Sequence, residues 1–230
     1  MRVRIPDDDR NQLLTDTLTW MPKGCNILHV GAFEFEEAPL YDKLEPKEVV
    51  WVDPLPWTKK LFQKLELAPH HRLVPFAAGC HPTTMKLKIA GPQTSLLEPT
   101  KVVKRMGGMK RKLTRLDVKV KRLDDMLPDF QPDLIVIDVQ GVGDQVLLGA
   151  PRLIRRASLV LIEIATGLRT AYEKEATMPS ISNTMKEYGF GLWRFFAPYP
   201  SDGDALFVKP ALIERLARLE KKADEQAAKK

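Results

Sequence analysis

The sequence predicts an α/β fold built on a mostly parallel, doubly wound sheet, and three observations predict it. Residues 134–139 (LIVIDV) form a short apolar run rich in β-branched side chains, the pattern of a strand covered on both faces. Strand-like and helix-like stretches alternate along the chain and end in a late pair of strands. Two of the strands close on aspartates, Asp53 and Asp138, and in open α/β sheets ligands bind beyond the carboxyl ends of the strands.

Length and composition bound the rest. A chain of 230 residues, 44% hydrophobic, fits one domain and can bury a substantial core. No apolar run is long enough to span a bilayer, and MRVRIPDDDR lacks a signal-peptide core. A soluble, cytoplasmic protein with no membrane span is expected. Cys25 and Cys80 show no paired-ligand spacing, so free thiols are expected and no metal. Ligation by Cys80 and His81 with His70 and His71 would need a loop built for it.

In chain order, residues 1–25 read as a lead-in helix, with Asp7, Asp8 and Asp9 as caps and Pro22 and Gly24 as its end. NILHV (26–30) is the first strand, and Gly31 with Ala32 turns out of it. Residues 36–44 have helical spacing, with Pro39 tolerated in the first turn. The second strand, 48–52, ends in Asp53-Pro54, about 20 residues after the glycine turn, where an acid in this fold holds a ribose diol. A helix over 57–67 and a strand over 71–76 follow, then Ala77-Ala78-Gly79, small enough to let a flat ring approach the backbone.

The pattern then changes. Residues 85–90 and 117–122 both alternate, predicting an antiparallel pair, and the span 82–122 reads as an inserted flap. Within it, residues 101–122, from Lys101 to Arg122, carry ten basic side chains against one acid, in a chain of net charge +6. Such a block suits an anionic partner such as nucleic acid, a phosphorylated small molecule or an acidic protein surface, and equally a solvated loop. Ser95, Lys104, Arg105, Lys110 and Arg111 are its candidate substrate- or anion-binding residues.

After a short helix at 123–127 comes the central strand, then a helix from Asp144 to near Arg156. Asp138 and Gln140 lie at the turn between them. The next strand, 158–164, embeds Glu163, a carboxylate that needs an arginine partner or a polar pocket. A helix over 180–188 stops at Gly189, strands at 191–197 and 204–209 close the domain at about 210, and 211–230 is a charged helical tail. The oligomeric state is open, with that tail available for association.

The stretch PDLIVIDVQGVGDQVLLGA followed by LVLIEI resembles the FkbM family of class I S-adenosylmethionine-dependent methyltransferases, whose pattern here is Ile-Asp-Val-Glu-Gly-Ala, then a helix with Glu-Val-Leu-x-Gly-Ala. VKVKRLDDML, TSLLEP, YGFGLWRF and DALFVKP resemble its flanking segments. The resemblance spans about 25–210. It implies a Rossmann-like seven-stranded sheet with a terminal antiparallel hairpin, S-adenosylmethionine as cofactor, and methyl transfer to an oxygen or nitrogen of a small or polymeric acceptor, including an anionic one. Cofactor binding would fall to Gly31, Ala32, Phe35, Asp53, Pro54, Ala78, Asp138 and Gln140. Asp138 would be the general base or position the acceptor, with Glu163 and His29 in reserve.

Three positions differ from the family's pattern: His29 replaces Asp, Phe35 replaces the second glycine, and Gln140 replaces Glu. A phenylalanine at the glycine position could fill the pocket, reshape it, or turn outward along a different loop path. An inactive scaffold that binds nucleic acid or protein through the basic stretch is the alternative function. A dinucleotide oxidoreductase lacks its GxGxxG here and has no use for the terminal hairpin.

Overall fold

The computed structural model describes residues 12–91, 94–100, 114–166, 171–197 and 202–227. In chain order the first half runs α1 (Gln12–Thr19), β1 (Asn26–Val30), α2 (Ala38–Asp42), β2 (Glu48–Val52), α3 (Pro56–Leu65), β3 (His71–Val74) and β4 (Ala77–Ala78). Next come β5 (Thr83–Ile89), β6 (Thr114–Lys121), α4 (Leu123–Met126), β7 (Leu134–Ile137), α5 (Gly143–Gly149) and α6 (Pro151–Arg156). The chain closes with β8 (Leu159–Ala165), α7 (Met178–Glu187), β9 (Gly191–Phe196), β10 (Asp202–Val208) and α8 (Pro210–Ala227).

Seven strands form one sheet in the order β3-β2-β1-β7-β8-β10-β9. The first five pair in parallel, and β10 enters antiparallel to both β8 and β9. The fold is therefore the mostly parallel seven-stranded sheet with a terminal hairpin that the sequence predicts. The chain winds outward from β1 to β3 and then returns to build the other half from β7. Between β1 and β7 the connections diverge to opposite sides, which opens a crevice at their carboxyl ends.

Alternate residues of each strand feed two apolar layers. Ile27, Trp51, Leu134, Val136, Leu161 and Leu206 pack under α1 and α2. Leu28, Val50, Ile135, Val160 and Ile162 pack under α4 to α7. Each side chain buried in this way contributes about 1.5–3 kcal/mol. The tail helix α8 joins the first layer through Leu216.

One predicted helix is two. At Ala150 the backbone leaves the helix (φ −134°, ψ 30°) and Pro151 starts α6. Asp124 of α4 supplies the missing cap: its carboxylate accepts the Arg152 and Leu153 N–H groups at 2.9 and 3.0 Å. Gly149 is required where α5 meets the exit of β4, since a Cβ there would lie 2.1 Å from the Gly79 carbonyl oxygen.

The alternating stretches pair as expected, β5 antiparallel to β6, and with β4 they make a second, three-stranded sheet. Ala77, Leu87, Val118 and Val120 form its core. Of the basic stretch, Lys101, Lys104, Arg105, Lys110 and Arg111 lie outside the described residues, as do the Asp7, Asp8 and Asp9 caps. No helix among the described residues is long and apolar enough to cross a membrane.

Candidate functional site

A cleft of about 870 Å³ opens at the carboxyl edge of β1, β2, β7 and β8. Pairing continues one residue past the strands: the Gly31 N–H donates to the Val52 carbonyl, and the Asp138 N–H to the Val30 carbonyl, both at 2.9 Å. These bonds and the register of β7, β8 and β10 place Asp53, Gly31, Asp138, Glu163 and Asp204 in one row across the sheet. Four of those five are carboxylic acids.

Asp53 is 5% exposed, and both its oxygens are engaged. Oδ1 accepts the Leu55 N–H at 2.8 Å and Oδ2 the Phe33 N–H at 3.2 Å. Thr58 Oγ1 donates to the Phe33 carbonyl at 3.3 Å. The carboxylate thus clamps the turn after β1 to the start of α3. Burial raises its pKa and these backbone bonds oppose the rise.

Asp138 opens onto the cleft, yet the walls deprive it of bulk water, which raises its pKa. Glu163 is pushed further up, by burial and then by the charges of Asp138 and Asp202. Of this pair Glu163 is the member that favours the protonated form, with Asp138 the charge beside it. Among the described residues no arginine pairs with Glu163. Its other partner is Gln140, whose Nε2 donates to Oε2 at 2.6 Å, while Gln140 Oε1 accepts the Tyr172 hydroxyl at 3.3 Å. An amide at position 140 is what allows this, because a carboxylate would add a fifth acid and could not donate.

His29 lines the cleft wall one row below, buried to 1% exposure and stacked on Trp51 at 4.8 Å. Its Nδ1 meets the Tyr41 hydroxyl at 2.8 Å, and its Nε2 has no hydrogen-bond partner among the described residues. Burial holds its pKa down to about 3. The ring is neutral at physiological pH and a poor proton acceptor.

Phe35 differs from expectation. The backbone takes the left-handed conformation expected of a glycine (φ 60°), which turns the ring into the core. There it is fully buried against Trp51 and Phe62, at 5.3 and 5.4 Å between centroids, and does not line the cleft. The glycine position is filled without filling the pocket.

Gly31, Ala32, Pro54, Ala78 and Ser95 all line the cleft. Ser95 belongs to a strap over one side: its hydroxyl donates to the Gln140 carbonyl at 2.6 Å. Further along, the Thr100 N–H donates to the Ala171 carbonyl and the Glu173 N–H to the Glu98 carbonyl, each at 2.9 Å. Glu175 anchors the facing loop by accepting the Ala171 and Tyr172 N–H groups at 2.8 and 3.1 Å.

Sequence reasoning missed Glu37, Tyr172, Glu175, Asp202 and Asp204, all of which line the cleft. Glu37 is pushed up to about 8 by burial and by Asp138, and Asp204 up to about 7 by burial, Asp138 and Asp202. The alternation of DGDALFV was the one available signal, since it puts Asp202 and Asp204 on a single face of the last strand.

Of the cysteines, Cys25 is buried and Cys80 half-buried, and both are free thiols. His70 and His71 turn to Asp42 on the far side of β3, with each Nε2 contacting Asp42 Oδ1, at 2.7 and 2.9 Å. This is the one group of three metal-ligating side chains whose atoms converge among the described residues.

A family model, the Methyltransferase FkbM domain, matches residues 29–192. A search of the curated proteins finds no match. Among solved structures the chain is similar to the Escherichia coli protein yhhF, described as a methyltransferase, at 9% identity over 91% of this chain and 92% of that one, with a TM-score of 0.52. It is similar to a Listeria monocytogenes protein described as an S-adenosylmethionine dependent methyltransferase, at 8% identity over 86% and 99%, with a TM-score of 0.50. It also resembles the TehB-like SAM-dependent methyltransferase from Corynebacterium glutamicum, at 15% identity over 85% and 86%, with a TM-score of 0.47.

Proposed function

We propose a function from one premise: the chain belongs to the FkbM methyltransferase domain family. The family and the fold imply the use of S-adenosylmethionine. In our reading the cleft holds that cofactor and directs its methyl group to a nucleophilic oxygen or nitrogen of an acceptor. The observation that carries this reading is the place of the cleft, at the divergence of β1 and β7, with acids just past β2 and β7 and within β8.

The residues present fit the cofactor. Asp53 lines the cleft beyond β2, held in place by Leu55 and Phe33, where its carboxylate would accept a ribose diol. Gly31 lets the backbone turn close beneath a ligand, and Phe76, Ala77, Ala78 and Val142 offer an apolar slot for a flat ring. The acidic row suits a group that carries a sulfonium.

When bound, the cofactor supplies a strongly electrophilic methyl group, so no covalent intermediate with the protein is required. The chain's own work is alignment and proton transfer. In this reading Asp138, on the cleft beside the Glu163 that Gln140 holds, takes a proton from the acceptor. His29 is too weakly basic for that role.

Calorimetric titration with S-adenosylhomocysteine tests the reading. Micromolar-range binding, weakened roughly tenfold or more in Asp53→Ala, is the expected result, a tenfold loss being about 1.4 kcal/mol. The absence of binding at millimolar ligand overturns it.

A further inference from the structure

Three stretches of chain far apart in sequence meet at one residue, Gln140. Its carbonyl accepts the hydroxyl of Ser95, in the strap, at 2.6 Å. Its side-chain Oε1 accepts the hydroxyl of Tyr172, in the facing loop, at 3.3 Å, and its Nε2 donates to Oε2 of Glu163, in β8, at 2.6 Å. The strap and the loop are themselves joined by the bonds from Thr100 to Ala171 and from Glu173 to Glu98. Gly141, the next residue, is enclosed by the same two segments. A Cβ there would lie 3.0 Å from Leu97 Cδ1 of the strap, and 3.2 Å from Tyr172 Cδ2 and Glu175 Cβ of the loop. The Ala176 N–H donates to the Gly141 carbonyl at 3.1 Å, so the turn after β7 is part of the cover of the cleft.

The side chain has to accept from Tyr172 and donate to Glu163 from one small planar group. An amide does both, whereas a carboxylate only accepts and an alkyl chain does neither. Because the amide is planar, turning Nε2 away from Glu163 also turns Oε1 away from Tyr172. Ser95 and Tyr172 are each 2% exposed, so a bond lost at either is not readily replaced by one to water. A contiguous chain of hydrogen bonds therefore runs from Glu163 through Gln140 and Tyr172 to Thr100 and Glu173. The FkbM pattern has Glu at this place, and its carboxylate could not donate to Glu163. The linkage belongs to this chain.

We infer that Gln140 is a positioning residue that ties Glu163, and with it the neighbouring Asp138, to the strap and loop over the cleft, so that covering a ligand and aligning the two acids are one event. The consequence for a proton acceptor rests on the methyl-transfer reading above; the linkage itself does not. A ligand that lifts the strap pulls Tyr172 from the amide and frees Glu163 to turn. A ligand that leaves the strap bonded meets both acids already set.

Hydrogen–deuterium exchange of the full chain without ligand tests this, with the Thr100 and Glu173 amides as reporters and Val50 of β2 as control. Gln140→Leu and Glu163→Leu should each speed exchange at both reporters by roughly threefold or more, about the worth of one hydrogen bond, and leave Val50 unchanged. Glu163→Gln keeps an acceptor for Gln140 Nε2 and should exchange as wild type does. The double variant Gln140→Leu, Glu163→Leu should exchange no faster than Gln140→Leu alone, since both changes cut one path. Wild-type exchange in Glu163→Leu overturns the inference, and so do effects that add in the double variant. Equal acceleration in Glu163→Gln and Glu163→Leu overturns it too, as does a rise of the same size at Val50. If Gln140→Leu does not fold, Tyr172→Phe cuts the next link and takes its place in the cycle. Failure of S-adenosylhomocysteine to bind while this exchange pattern holds counts against the methyl-transfer reading alone.

Discussion

Trp51 donates its indole N–H to Nδ1 of His71 across 2.9 Å, and this bond settles the chemistry of the Asp42, His70, His71 cluster. An indole nitrogen can only donate, so Nδ1 accepts and the single proton of neutral His71 sits on Nε2. That proton points at Asp42. A protonated nitrogen has no lone pair for a metal, and burial, which lowers the pKa of His71, keeps this neutral form dominant. Although burial alone would raise Asp42, the hydrogen bonds from His71 and His70 hold it below its usual value.

Zinc titrated into the protein should therefore bind no more tightly than into Asp42→Asn. Trp51→Phe, which frees Nδ1 to carry the proton, should gain zinc affinity. A stoichiometric wild-type zinc site that disappears in Asp42→Asn contradicts this tautomer.

Gly31 has φ 100°, and a Cβ there would lie 1.8 Å from the Asp138 carbonyl oxygen. Gly31→Ala must move one of the two strands that frame the cleft. The expected cost is about 3 kcal/mol or more, from overpacking and backbone strain together. Urea denaturation measures it, and S-adenosylhomocysteine affinity should fall with it.

Phe35→Ala separates core from cleft. Removing a fully buried ring should cost about 3–5 kcal/mol of stability. Because the ring faces Trp51 and Phe62, the affinity for S-adenosylhomocysteine should stay within about threefold of wild type, under 1 kcal/mol. A large loss of affinity with little loss of stability would mean that the ring lines the pocket.

The acidic row predicts how stability follows pH in the ligand-free protein. Asp204 and Glu37 titrate at about 7 and about 8 when folded, against ordinary values of 3.8 and 4.5, because burial and neighbouring carboxylates favour their protonated forms. In that window the native state binds more protons than the unfolded chain, so these groups' contribution is full below about pH 4 and is lost as pH rises to 8. Thermal unfolding should show Tm falling from pH 5 to 8, with a shallower fall in Asp204→Asn. An equal fall in the variant removes Asp204 from the explanation.

Much of this was legible in the residues. NILHV and EVVWV are apolar runs punctuated by glycine and proline, and their strands have the bounds read from sequence. Asp53 and Asp138 follow from a local rule, that acids at strand ends border the cleft, and Glu163 from the cost of burying a carboxylate inside a strand. The break at Ala150 was hidden because Leu147, Ala150, Leu153 and Ile154 keep helical spacing across it. Asp204 was out of reach for another reason: its neighbour Glu163 is set by the antiparallel register of β10 on β8, a long-range pairing. The fate of Phe35 depended on one backbone angle, which composition does not encode.

The strap over the cleft bears on timing. Its main-chain bonds, from Thr100 to Ala171 and from Glu173 to Glu98, join segments about seventy residues apart and contain no ionisable group. Neither can break without disturbing the other, so the amide hydrogens of Thr100 and Glu173 should exchange with deuterium at one common rate. That rate is a clock for the opening of this side of the cleft, and it should slow when the cleft is filled.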